Sequence, residues 1–132
     1  MVSLDRAIYD EMVAHALEDR PYEVCGILAG RGDRVTRAFR ARNAEQSPVR
    51  YEIDPHDLIR IFREIDDADL DHLGIYHSHT HTRAYPSETD KRLATYPEAL
   101  YFIVSLVDER APYVKAFYIR DGEVTEEPIE LA

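Results

Sequence analysis

One cysteine, Cys25, is all the thiol chemistry this chain carries, so no intrachain disulfide can form and a disulfide-stapled fold is excluded. Basic residues are scarce: 16 Lys plus Arg stand against 26 Asp plus Glu, a formal net charge of -10. That deficit argues against wrapping DNA or RNA, where phosphate neutralisation needs a basic patch. It argues equally against docking on an anionic membrane. No apolar run approaches the roughly 18 residues of a spanning helix. The opening stretch, Met1 to Asp5, lacks the basic patch and apolar block of a secretory signal. With a lone cysteine, these absences point to a reducing cytoplasm. No internal repeat, low-complexity tract or Ser/Gly linker interrupts the chain, so residues 1–132 read as a single domain.

What is present is a globular composition, 45% hydrophobic. Leu4, Ile8, Met12 and Ala16 recur every four residues, with Val13 and Leu17 beside them, and predict a helix over 4–18 that has ended before Pro21. Val24 to Ala29 reads as a buried strand, Arg31-Gly32-Asp33 as a turn, and Val35 to Ala41 as a second strand. Arg50 to Ile53 is a brief extended stretch. Asp54-Pro55 is an N-cap with proline at the first helical position, opening a helix through Leu58, Ile61, Phe62 and Ile65. A strand over 73–79, a helix from Ser87 to about Tyr96 and a strong strand over 100–107 follow. A hairpin of 113–119 and 124–129 turns at Asp121-Gly122. The expected class is α+β, an α/β sandwich with a mixed, mostly antiparallel sheet flanked by helices.

The chemistry concentrates in His77-Ser78-His79-Thr80-His81-Thr82-Arg83-Ala84-Tyr85-Pro86-Ser87-Glu88-Thr89-Asp90. His77 and His79 sit two apart at a strand end, so both rings project from one face, with Cα atoms roughly 6 to 7 Å apart. Ser87 and Asp90 are three apart at a helix start and share a face. Two imidazoles and one carboxylate occupy three corners of a tetrahedral zinc site and leave the fourth open, the arrangement of a catalytic centre.

Plainer readings exist for each piece. His-x-His alone is a weak signal. Ser87 and Asp90 also suit a capping box, with Ser87 as N-cap; that role and metal binding coexist. His81 is a further possible imidazole ligand, though it reads more simply as loop. His15, His56 and His72 read as surface or capping residues. A zinc hydrolase needs a carboxylate near the metal that does not bind it, to take and return a proton. Glu23 is the candidate, because it enters a buried strand instead of lying on a solvated face. Gly26, three residues on, leaves room for another backbone to approach. A Cys25 nucleophile lacks any basic partner in sequence, and no Pro-Cys-x-x-Cys follows as a zinc deaminase would need.

These residues resemble the JAMM or MPN-plus metalloproteases: a Glu upstream, then His-x-His, seven residues, Ser, two residues, Asp. Glu23, His77, His79, Ser87 and Asp90 occupy all five positions. The resemblance implies a cytidine-deaminase-like JAMM/MPN domain in which His77, His79 and Asp90 bind Zn2+ with a water. Glu23 is then the base, and Ser87 stabilises the tetrahedral oxyanion. It also implies cleavage after the C-terminal tail of ubiquitin or a ubiquitin-like protein. Many bacterial members carry Pro where this chain has Thr80. His79-Thr80, Ala84-Tyr85-Pro86-Ser87 and the segment Asp121 to Pro128 are instead similar to a bacterial subgroup. Those enzymes release cysteine from the Gly-Gly end of a small sulfur carrier protein, in cysteine biosynthesis. A ubiquitin-like carrier ending in Gly-Gly is therefore the expected partner, its tail pairing with an edge supplied by Arg50 to Ile53. A broader deconjugating isopeptidase and a non-catalytic MPN scaffold are the alternatives, the scaffold disfavoured by a complete ligand set.

Overall fold

The computed structural model describes residues 1–132. One eight-stranded sheet runs through it, with strands β1 (Val2–Leu4), β2 (Cys25–Arg31), β3 (Arg34–Ala41), β4 (Asp71–His79), β5 (Leu100–Ser105), β6 (Tyr113–Arg120), β7 (Glu123–Glu127) and β8 (Ile129–Leu131) in the spatial order β7-β6-β5-β4-β2-β3-β1-β8. β2 is antiparallel to both neighbours, as is β6, whereas β1 is parallel to β3 and β8, and β4 to β5. The sheet is thus mixed and mostly antiparallel, as expected. No helix is long and apolar enough to cross a membrane.

Two helices cover the two faces. Leu28 of β2 and Val24 just before it join the cluster holding Met12 and Ala16 of α1 (Arg6–Asp19), while Cys25, Ile27 and Ala29 join Ile61 and Ile65 of α2 (Pro55–Asp67). Successive side chains alternate faces. A strand covered on both sides therefore reads as an unbroken apolar run. Gly26 is needed on the α1 face, though a side chain and not only backbone fills its space. Any Cβ there would meet the Tyr76 ring and the Phe39 carbonyl. The Tyr76 hydroxyl in turn hydrogen-bonds His15 Nδ1 at 2.7 Å, so His15 is a core residue and not a surface one.

The structure departs from the sequence expectation at several element ends: β4 begins two residues early and β5 stops two residues early, and three further departures have a visible cause. Leu4 belongs to β1, wedged between β3 and β8, and the helix begins only after Asp5. The strand expected over 124–129 is two strands, because Pro128 has no N–H to continue a ladder. β7 and β8 then lie at opposite ends of the sheet order with one residue between them. The sheet must curl until its edges approach, and the Val2 amide donates to the Pro128 carbonyl at that seam. Finally, α3 (Glu88–Leu93) stops short of Tyr96, because the Tyr101 hydroxyl accepts the Thr95 and Tyr96 amides, each at 3.0 Å. The expected Asp121-Gly122 turn is present, both residues having positive φ (53° and 80°).

Candidate active site

The strand period places Ile75, His77 and His79 on the face opposite Tyr76 and Ser78, and β4 ends at His79. α3 delivers the third group. Ser87 caps it as a capping box: Ser87 Oγ accepts from the Asp90 amide at 3.0 Å, and Asp90 Oδ2 accepts from the Ser87 amide at 2.9 Å. The same Oδ2 faces both imidazoles, so the capping carboxylate is also the one that meets His77 and His79. His77 Nε2 and His79 Nε2 lie 3.1 and 3.0 Å from Asp90 Oδ2 and 3.2 Å from each other. All three side chains are buried.

Three electron-rich atoms in so tight a triangle repel one another unless something positive lies among them. Donors about 2.0–2.2 Å from a tetrahedral zinc stand roughly 3.3 Å apart, close to the spacing here. The tautomer of His79 is also set for a metal: its Nδ1 donates to the Arg83 carbonyl at 2.9 Å, leaving the Nε2 lone pair facing inward. Without a cation, a proton does the bridging. Burial lowers His79's affinity for that proton, but Asp90, the Arg83 carbonyl and Glu23 outweigh it, so its pKa is raised. Burial likewise raises Asp90, yet His77, His79 and the Ser87 amide hold it well below the usual carboxylate range. His77 is fully buried and its pKa is lowered.

Glu23 lies just before β2 and is carried to the centre by a residue that the sequence reading missed. Ser78, between the two histidines but on the other face, accepts the Val24 amide through Oγ at 2.9 Å, while its own amide donates to the Val24 carbonyl at 3.1 Å. The Glu23 carbonyl accepts from Asn43 Nδ2 and its amide donates to the Ser47 carbonyl. Glu23 is 5% exposed, and its Oε1 has no hydrogen-bond partner. Desolvation, helped by the Asp90 charge and opposed by His79, lifts its pKa from 4.5 to about 8. The signal for Ser78 was its place between two same-face histidines, where only the opposite face remains.

Asn43 is the second missed residue. Its Nδ2 donates to the carbonyls of Glu23 and Arg50, and its Oδ1 accepts the amides of Glu45 and Glu52. All four bonds of the amide are made. Arg50 to Ile53 consequently forms no sheet strand, only an isolated bridge from Ile53 to Asn43. It lines a groove of about 550 Å³ beside Asp90, with Tyr51, Ile75, Leu93, Tyr96 and Tyr101. His81 is exposed, bonded to Thr80 Oγ1, and outside the group formed by His77, His79 and Asp90. His72 is half-buried against Phe62 and Tyr96, not a surface residue. Cys25 is inert: burial pushes its thiol up to about 12, and Sγ donates to the Arg42 carbonyl.

Residues 5–119 match the family described as prokaryotic homologs of the JAB domain, and the chain belongs to that family. It is 45% identical over 126 residues to the CysO-cysteine peptidase of Mycobacterium bovis, covering 94% of this chain and 86% of that one. It is 40% identical over 111 residues to the desampylase of Haloferax volcanii, covering 79% of this chain and 80% of that relative. Among solved structures, that of protein DSY2949 from Desulfitobacterium hafniense superposes with a TM-score of 0.92 at 38% identity, covering 100% of this chain and 93% of that one.

Proposed function

We propose that this chain is a zinc-dependent metallopeptidase that hydrolyses the bond after the C-terminal Gly-Gly of a ubiquitin-like sulfur carrier protein and releases cysteine. The observation that carries the reading is the meeting of His77, His79 and Asp90 within 3.2 Å of one another. Glu23 lies close enough for its charge to act on His79. The similarity to the CysO-cysteine peptidase supports the choice of substrate.

His77, His79 and Asp90 would hold the ion. Zinc bound there supplies Lewis acidity, polarising a carbonyl and bringing the pKa of water near 7. Glu23 takes a proton from the attacking water and returns it to the leaving amine. Ser87 Oγ uses a lone pair to accept the Asp90 amide, so its O–H stays free to donate where negative charge develops on the substrate oxygen. The groove beside Asp90 receives the extended tail. We assign the reaction to the cytoplasm and to cysteine biosynthesis, consistent with a lone buried thiol.

Elemental analysis of the purified protein should find about one zinc per chain. Mass spectrometry of a carrier ending in Gly-Gly-Cys should show the loss of one cysteine, abolished by a chelator and restored by zinc. The similarity to a desampylase favours a second reading, a deconjugating isopeptidase acting on lysine-linked carrier. Cleavage of only the lysine-linked substrate would replace the first reading with the second.

A further inference from the structure

The two histidines of the centre are held differently. His79 is oriented conventionally, with Nδ1 donating to the Arg83 carbonyl. A metal-bound histidine nearly always has such a partner, which fixes the ring. His77 has none: its Nδ1 is buried without a hydrogen bond. The face of its ring is instead covered by Tyr51, centroid to centroid 4.3 Å at an interplanar angle of 21°.

We propose that Tyr51 is a positioning residue for the metal centre: its stacked ring holds the His77 imidazole in the plane that aims Nε2 at Asp90 and His79. This rests on the reading of His77 as a ligand. Turning the imidazole about its Cβ–Cγ bond would break the parallel contact, so the stack resists the motion that a hydrogen bond resists at His79. Tyr51 can serve as a fixed platform because its backbone is fixed. Asn43 grips both neighbours, accepting the Glu52 amide and donating to the Arg50 carbonyl, while the Ala44 amide donates to the Glu52 carbonyl at 2.8 Å. The ring itself packs between the cluster of Cys25 and Ile27 and that of Ile75 and Tyr101. Asn43 also holds the Glu23 carbonyl. One amide therefore sets both the segment that carries the proposed base and the ring that steadies a ligand. Tyr51 also lines the groove, so a bound tail touches the residue that orients His77.

The test is zinc affinity, measured by competition with a chromophoric chelator, for the wild type, Tyr51→Phe and Tyr51→Leu. Tyr51→Phe keeps the stack and should bind zinc within about twofold of the wild type. Tyr51→Leu should bind about 10–100-fold more weakly, the loss typical when a ligand's outer partner is removed. The melting temperature of each metal-free variant checks that the fold survives, with Tyr51→Met standing in if Tyr51→Leu does not fold. Proton NMR of the metal-free wild type needs no variant. The His77 ring protons should be shifted upfield by the Tyr51 ring current, and absence of that shift overturns the inference. So does a Tyr51→Leu affinity equal to the wild type, or a Tyr51→Phe loss as large as that of Tyr51→Leu. A wild type that binds no zinc sinks the metal-centre reading itself, and the inference with it.

Discussion

Replacing Glu23 by glutamine separates two consequences of burying this carboxylate. In the metal-free protein its pKa rises from 4.5 to about 8, chiefly through desolvation. The folded state therefore binds this proton more tightly than the unfolded chain does. The stability it contributes is fully present below about pH 4.5 and is lost as the pH climbs through 8. A shift of that size is worth on the order of 5 kcal/mol at about 1.4 kcal/mol per unit. Glutamine carries no charge at any pH, and the cost of burying its amide is the same at every pH. The stability of metal-free Glu23→Gln relative to the wild type should therefore rise by about 4 kcal/mol from pH 5 to pH 9, roughly 12–16 °C in relative melting temperature for a domain of this size. Calorimetry on chelator-treated protein from pH 5 to 9 measures the difference directly, since all other titrating groups are common to both proteins. The same variant should still bind one zinc while turnover falls by about 10²–10⁴. Parallel melting curves for the two proteins across that range would refute the burial argument. Full activity in the variant would refute the assignment of the base.

Ser87→Ala should cost about 1 kcal/mol of stability through the lost cap, and about a hundredfold in turnover if the hydroxyl stabilises developing charge; comparing denaturant midpoints with single-turnover rates separates the two. Asn43→Ala removes four hydrogen bonds and should destabilise the chain by about 2–4 kcal/mol in urea titration, with turnover reduced in whatever fraction remains folded. Gly26→Ala forces a methyl group into the Tyr76 ring and should cost about 1–3 kcal/mol by overpacking, with the His15–Tyr76 hydrogen bond disturbed in NMR spectra.

Much of the candidate site was legible because it is local. Two imidazoles on one strand face need only the two-residue period, and Ser87 and Asp90 need only one helical turn. The capping geometry and the carboxylate facing both histidines arise from that same turn. β2 and β5 were legible as apolar runs because both their faces are covered. Where local reading failed, a distant partner intervened. Leu4 fits a four-residue period, but strand pairing with β3 and β8 takes it. Tyr96 sits in helical context, but the Tyr101 hydroxyl captures its amide.

By itself, then, the amino-acid order determined a strand bearing two histidines, a capped turn bearing a carboxylate, and the spacing that lets them meet, since each depends on neighbours a few residues away. Tertiary structure alone decided what surrounds them. Ser78 draws the Glu23 segment to the histidines across 54 residues of chain, from Val24 to itself. Asn43 ties Glu23 to the Tyr51 stretch, and the sheet curls until its end strands, β7 and β8, approach each other. Those contacts join side chains to distant backbone, and no periodicity along the chain encodes which distant amide a serine or an asparagine will find.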